Sequence, residues 1–295
     1  MKLIYHKGKN FGAALNPHIF YRLFPNFFDN DEGKILWGIG SIIGLRQHHS
    51  QKKIVFSSGY AAGDPSTDGN IPKIDSSWDI RCVRGPLTAK ILNIDKKLAV
   101  SDGAILLKTY YNDKSEKKHM YSYMPHHVSF NMYSQWEKLL SDCDVNLIDP
   151  RADVETILRE INTTEFLISE AMHGAIAADA LRVPWLGVKA YPYINDFKWI
   201  DWAASLDMNV YLQVLPSVHE DNFLKKVINN KTKSLMPDIL LRNATSYVVR
   251  KREHSFINKV QELKKLKFSL SSEKLLESRC DQLESIAQKI LKDYR

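Results

Sequence analysis

What the sequence has little of narrows it first. Its 295 residues include only three cysteines, Cys82, Cys143 and Cys280, scattered and without a Cys-x-x-Cys pair. That number and spacing exclude a disulfide framework and a cysteine zinc site, and leave buried or incidental thiols. Long hydrophobic runs are missing too. The longest, ILWGIGSIIGL, is broken by three glycines. It falls well short of the roughly 20 apolar residues of a membrane span, and reads as buried strand and turn. The opening MKLIYH passes at once into KGKN instead of the about 7–15 apolar residues of a secretory leader, so a cytoplasmic protein is expected. Histidine-glutamate metal motifs of the His-Glu-x-x-His kind are absent, and no metal site is expected. There is no internal repeat and no low-complexity linker.

What is present is enough apolar sequence, 44% of the chain, for one large domain or two of ordinary size. The net charge of +7 is uneven: residues 222–295 hold 17 Lys and Arg against 8 Asp and Glu, whereas residues 1–221 hold 24 against 26. Such a basic tail either lies against anionic lipid or is a solvated helix face. Nucleic acid is not expected as a partner, because no binding motif accompanies the charge. The Asn-x-Ser/Thr triplets at Asn162, Asn230 and Asn243 carry no weight in a chain expected to stay in the cytoplasm.

Short apolar runs, KLIYH, KILWGIGS, KIVFSSGY, SWDIRCV and KLAVS, alternate with helical patterns up to about residue 110. They predict the buried strands of a doubly wound α/β unit. The rhythm restarts with HMYSYMPHHVS, VNLIDP, EFLIS and PWLGV, separated by helical stretches such as ADVETILREIN and AMHGAIAADAL. The expected architecture is therefore α/β, with two Rossmann-like doubly wound domains, residues 1–117 and 118–221, facing a cleft at the carboxyl ends of their strands. In residues 222–295 apolar positions spaced three and four apart, with lysines between them, predict a basic tail of amphipathic helices.

Four strand-to-helix turns carry the candidate chemistry. In CVRGPLTAKIL, Gly85 turns the chain and Pro86 suits a first helical position, so Arg84 and free amides beside it form either an anion site or the setting for a salt bridge. In FLISEAMHGAIAADAL, Ser169 is placed to cap a helix whose start carries Glu170, His173 and Gly174. His173 there either binds phosphate and donates a proton, or is a structural histidine. In YMPHHVS, His126 and His127 point to opposite sides if this is a strand end, so that one faces the cleft. In AVSDGAILL, Asp102-Gly103 reads as a routine turn unless Asp102 proves to lie in the cleft.

In order and spacing, NFGAALNP, GIGSII, RGPLTA, SDGAILL, PHH and ISEAMHGAIAADALRVPWLGV resemble the polysaccharide pyruvyl transferase family, which includes bacterial exopolysaccharide ketal-pyruvyl transferases. The resemblance covers roughly residues 1–200, and SEAMHGAIAADALRVP is its most specific part. It implies a fold similar to the two-domain GT-B glycosyltransferases. It also implies transfer of the enolpyruvyl carbons of phosphoenolpyruvate, a co-substrate and not a cofactor, to a sugar, in a capsule or exopolysaccharide or its lipid-linked precursor at the cytoplasmic membrane. Arg84 and His173 then match the family's donor-site residues, supported by Ser169, Glu170, Gly174 and His126 on a carboxyl-terminal donor side. The acceptor side is expected at Asn10, Gly12, Asn16 and Ser41 of the amino-terminal unit. The aromatic stretch YPYINDFKWIDW is a candidate sugar-stacking surface, or else core or lid. The alternatives are a GT-B nucleotide-sugar glycosyltransferase and a catalytically impaired glycan-binding relative.

One departure bears on activity. The family commonly carries an acidic residue after the glycine of its first turn, and this chain has Ala13. Asn16 and Pro17 read as a helix cap and first turn, so the architecture of the turn is kept while its acid is missing. This is either a natural departure with weak or altered activity or a substitution made to trap a ligand complex.

Overall fold

The computed structural model of the chain describes residues 1–29, 31–44, 52–63, 71–113, 115–219 and 238–295, with side chains in the last span from residue 246. Asn230, the side chain of Asn243 and the lysines of residues 222–237 lie outside the described residues.

Two parallel sheets face each other. The first pairs β1 (Lys2–Ile4), β2 (Lys34–Trp37), β3 (Lys52–Ser58) and β4 (Trp78–Val83) in the order β1-β2-β3-β4. The second has the order β6-β5-β7-β8-β9, from β5 (His119–Met124), β6 (Asn146–Leu147), β7 (Thr164–Ser169), β8 (Trp185–Lys189) and β9 (Gln213–Val214). Strand order reverses between β5 and β7, where Met124 stands opposite Ser169. At such a switch point the connections leave in opposite directions and open a crevice at the carboxyl ends of the strands. The near-continuous apolar runs follow from this layering: Ile35, Leu36 and Trp37 of β2 are all buried because helices or loops cover both faces.

KLAVS does not form a strand. Lys96–Leu98 is a 3-10 turn capped by Asp95, whose carboxylate accepts from the Lys97 amide at 2.9 Å, and Val83–Ala99 is an isolated bridge. The fold class read from the periodicity is nevertheless the one observed: two parallel α/β units and carboxyl-terminal helices.

Helix α1 (Phe11–Leu23) starts six residues earlier than its sequence suggests, capped by Asn10, whose side chain accepts from the Ala13 amide at 3.2 Å. Pro17 therefore sits inside the helix, where it cannot donate to the Ala13 carbonyl. The Asn16 side-chain amide takes over that carbonyl at 3.1 Å, and also bonds both polar groups of Ile39, at 2.8 and 2.9 Å. Asn16 is fully buried. It serves as a latch between α1 and the turn after β2, not as the cap expected of it.

The short helices α2 (Pro86–Ile91), α3 (Leu107–Tyr110), α4 (His127–Phe130) and α5 (Trp136–Ser141) precede five that matter for the arrangement: α6 (Val154–Asn162), α7 (Met172–Ala180), α8 (Asp196–Ser205) and the long pair α9 (Asp238–Leu263) and α10 (Glu273–Tyr294). The segment read as a tail is built into both halves. Phe256, Val260 and Leu263 of α9 pack with Tyr123 and Trp136 in the carboxyl-terminal unit. In α10, Leu276, Leu283, Ala287 and Ile290 join a core that also contains Phe20 and Ile105 of the amino-terminal unit. Arg81–Asp293 and Tyr294–Asp79 contacts, each 2.6 Å, fasten its end to β4. The turn between the two helices is held by buried Asp179, which accepts from the Ser271 amide at 2.8 Å and from the Trp185 indole at 3.0 Å. The apolar faces that suggested a membrane-seeking tail are thus spent on the protein's own core. Among the described residues no helix is long and apolar enough to cross a membrane. The three thiols are all free and buried, and burial pushes Cys82 and Cys280 up to about 12 and Cys143 to about 11.

Candidate active site

Between the two sheets lies a cavity of about 380 Å³. The amino-terminal unit contributes His6, the first turn of α1 with Asn10, Gly12 and Ala13, and the turn after β2 with Ser41. The carboxyl-terminal unit contributes His126 and His127 after β5, Glu170 to His173 after β7, and Tyr193 and Lys198 from α8 and the loop before it. The cavity occupies the crevice where the strand order of the second sheet reverses.

His173 is in the first turn of α7, with its side chain about one-sixth exposed. Its ring lies against Gly12: a Cβ there would come within 2.1 Å of Nδ1 and 2.5 Å of Cγ, so only glycine lets the imidazole rest in this position. On the other side, His173 Nε2 stands 3.7 Å from Asp102 Oδ2. Asp102 caps a 3-10 turn (Gly103–Leu106), accepting from the Ala104 amide at 3.0 Å. It was read as a turn residue, and it is one, but it is also buried directly behind His173.

Ser169 does not cap α7. Ala171 occupies that position, and the Ser169 hydroxyl donates to the Ala171 carbonyl at 2.8 Å. Gly174 is buried, and a Cβ there would approach Met124 Sδ to 2.6 Å, so it permits close packing of α7 on β5 and does not line the cavity. Glu170 is almost fully buried, and its two oxygens accept from the backbone amides of His126, at 3.0 Å, and Ala190, at 3.1 Å. It ties together the ends of β5, β7 and β8. Burial raises its pKa, and the hydrogen bonds it accepts act against that rise.

His126 and His127 do not end a strand. His126 caps α4 and His127 begins it, with ring centres 4.2 Å apart, so both face the cavity. Burial, with the neighbouring His127 and Lys198 adding to it, holds His126 down to about 3, so at neutral pH it supplies shape and an acceptor but no charge. His127 is also lowered, by burial and by His6. Among the described residues no group of three or more His, Cys, Asp or Glu could hold a metal ion.

Arg84 is placed differently. It is fully buried, its Nε donating to Asp201 Oδ2 at 3.1 Å and its Nη1 to Ser41 Oγ at 2.7 Å, while Nη2 finds no partner among the described residues. The amides at the start of α2 are taken by the same Asp201, whose Oδ1 accepts from Leu87 and Thr88, each at 2.9 Å. Gly85 makes this possible, because a Cβ there would lie 1.9 Å from the Asp201 carbonyl oxygen. The anion bound at this helix start is therefore a carboxylate of the chain itself, and Arg84 reaches the cavity only through Ser41. Of the aromatic stretch, Trp199 and Trp202 are in the core, with Trp199 also at the cavity wall, while Tyr193 is 40% exposed and faces the cavity, its hydroxyl 2.6 Å from that of Ser129. Sequence reasoning missed Asp201, Lys198 and His6 as neighbours of the site, whereas Tyr193 belongs to the aromatic stretch named as a candidate sugar-stacking surface. Asp201 lies 117 residues from Arg84, and no local pattern announces such a pairing.

The fold and site define an α/β protein of two facing parallel sheets, with a histidine- and lysine-lined cavity at a topological switch point. A family model described as polysaccharide pyruvyl transferase matches residues 2–189, and the chain belongs to that family. It is 35% identical over 199 residues to the succinoglycan biosynthesis protein ExoV of Rhizobium meliloti (strain 1021). That match spans 67% of this chain and 61% of the relative. Among solved structures, the wall teichoic acid polymerase TagF aligns over 99% of this chain and 88% of its own, with a TM-score of 0.35 and 11% identity.

Proposed function

We propose that the protein transfers the pyruvyl group of phosphoenolpyruvate to a sugar of a bacterial surface polysaccharide or its lipid-linked precursor, forming a pyruvate ketal and releasing phosphate. The observation that carries this reading is the cavity. Within the family match, the first turn of α1 and the Glu170–His173 segment, far apart in sequence, fold onto one space that also receives Lys198.

In this reading His173, in its protonated form, gives a proton to the donor methylene carbon, and C2 becomes electrophilic. A sugar hydroxyl adds to C2 and gives up its proton, which restores the one His173 lost. Phosphate then leaves C2, and a second hydroxyl of the same sugar takes its place, its proton leaving with the phosphate. The donor carries about three negative charges, and cations fixed in a partly dry site stabilise such charge without reorganisation. Lys198 supplies one. Arg84 acts through Ser41, whose oxygen accepts from the guanidinium and whose own O–H is then free to donate into the cavity. Asn10, Gly12 and Ser41 form the wall on the acceptor side, and Tyr193 offers a ring for sugar stacking.

Mass spectrometry of a candidate oligosaccharide incubated with phosphoenolpyruvate tests this: the expected product is heavier by pyruvate less one water. Stabilisation by a sugar nucleotide but not by phosphoenolpyruvate in a thermal-shift assay would favour the glycosyltransferase alternative. The impaired glycan-binding relative is the second reading, and Ala13, lining the cavity with no acid in its place, favours it. Ala13→Asp is expected to raise pyruvyl transfer by about 10²-fold, the usual effect of a positioned acid or base. An unchanged rate removes residue 13 from the chemistry. A peripheral position on anionic membrane, suited to a lipid-linked acceptor, would rest on outward lysines and be weakened by salt.

A further inference from the structure

Asp102 and His173 form a pair that neither was expected to make. Asp102 is fully buried, and one of its oxygens is used as the cap of the Ala104 amide. Its other oxygen, Oδ2, and His173 Nε2 are both buried with no hydrogen-bond partner among the described residues, and they face each other across 3.7 Å. Two unsatisfied polar atoms at that distance are an arrangement waiting for a small ring rotation, since catalytic hydrogen bonds are often long before substrate binds.

We propose that Asp102 is the positioning residue of His173: its carboxylate accepts the Nε2 proton of the imidazole and leaves Nδ1 as the nitrogen that works in the cavity. This rests on the role given to His173 above. Which ring nitrogen of a histidine is protonated is set by the hydrogen bond the other makes, and a buried carboxylate is the strongest such partner. The surroundings fit. Nδ1 lies on the Gly12 side, at the cavity wall. Glu170, at the end of β7, is engaged by two backbone amides, and His6, His126, His127 and Lys198 share the cavity. Among the described residues, Asp102 is the carboxylate within ion-pair reach of His173. Its seat is also held from behind. A Cβ on Gly103 would come 2.5 Å from the Ser57 hydroxyl, and Ser57 itself is kept at a φ of +69°, a conformation unfavourable for a non-glycine residue.

The test is ¹⁵N NMR of the histidine rings in the full chain without donor or acceptor, with His173 assigned through His173→Gln. Neutral His173 is expected to carry its proton on Nε2. In Asp102→Asn the amide oxygen can keep the Ala104 cap, its nitrogen then faces Nε2 as a donor, and the proton is expected to move to Nδ1. Pyruvyl transfer should then show kcat reduced about 10²–10⁴-fold with KM changed less than about threefold, the pattern of a wrong tautomer in a folded enzyme. A parent protein with the proton on Nδ1, or a variant with unchanged tautomers, overturns the proposal. The measurement on the parent decides the matter even if Asp102→Asn does not fold. It also needs no substrate, so the expected tautomers support the pair even if pyruvyl transfer fails and the functional reading falls.

Discussion

Arg84-Gly85-Pro86 and Ala171-Met172-His173 each bring a charged or protonatable side chain to the start of a helix that follows a parallel strand. At the first, the guanidinium and the helix amides close on Asp201, from the other half of the chain, with Arg84, Thr88 and Asp201 all buried. At the second, the ring stays at the cavity edge, leaning on Gly12 with Asp102 behind it. A helix start has the same unpaired amides in either case. Whether they serve a ligand or hold two domains together depends on whether another segment delivers a carboxylate first.

Removing that carboxylate should have the largest effect. Asp201→Ala leaves a buried guanidinium without its carboxylate, held by Ser41 alone, and two helix-start amides without their acceptor, and is expected to cost about 3–5 kcal/mol of stability, read from the urea midpoint. Arg84→Met combined with Asp201→Leu should recover the part due to the stranded guanidinium, because a buried pair replaced by apolar groups of similar volume is often neutral, while the Leu87 and Thr88 amides stay without their acceptor. If Asp201→Ala is as stable as the parent, the buried latch is not what joins the units.

At the other turn the effect should fall on activity alone. Gly12→Ala places a methyl 2.1 Å from the present position of His173 Nδ1, and displacement of a catalytic ring by about 1 Å is expected to lower pyruvyl transfer about 10²-fold. Stability should change by less than about 1 kcal/mol, since alanine is the better helix former. Equal losses of activity and stability would make the glycine structural, like Gly85.

The expected effect that is smallest at neutral pH, and grows only on acidification, concerns His126. His126 titrates near 3 in the folded protein and near 6.5 when unfolded, so the unfolded chain binds the extra proton between those values. The stability due to its neutral form is fully present above about 6.5 and declines as pH falls toward 3. His126→Asn, which keeps an acceptor for the α4 cap, should flatten this part of the thermal-melting profile. An identical slope in both proteins would show that His126 is not buried uncharged.

How much was legible can be judged residue by residue. Periodicity located eight of the nine strands among the described residues, and the α/β class, because a two-sided parallel sheet writes long apolar runs into sequence. It misjudged Ala99 and Val100, whose apolar character serves a bridge and not a strand. The family resemblance over roughly residues 1–200 agrees with the matched span of 2–189. The start of α1 was misplaced because Pro17 normally marks a first turn. Here a side-chain amide replaces the missing donor, a compensation that spacing cannot reveal.

By itself the sequence determined the parallel layers, the family, and the small residues that let backbones approach, since these follow from local pattern and size. Only the tertiary structure decided that Asp201 fills the Arg84 turn, that Asp102 stands behind His173, and that the carboxyl-terminal helices strap the two units together. Those contacts join residues far apart in the chain, and their electrostatics depend on burial, which exists only after the sheets have packed.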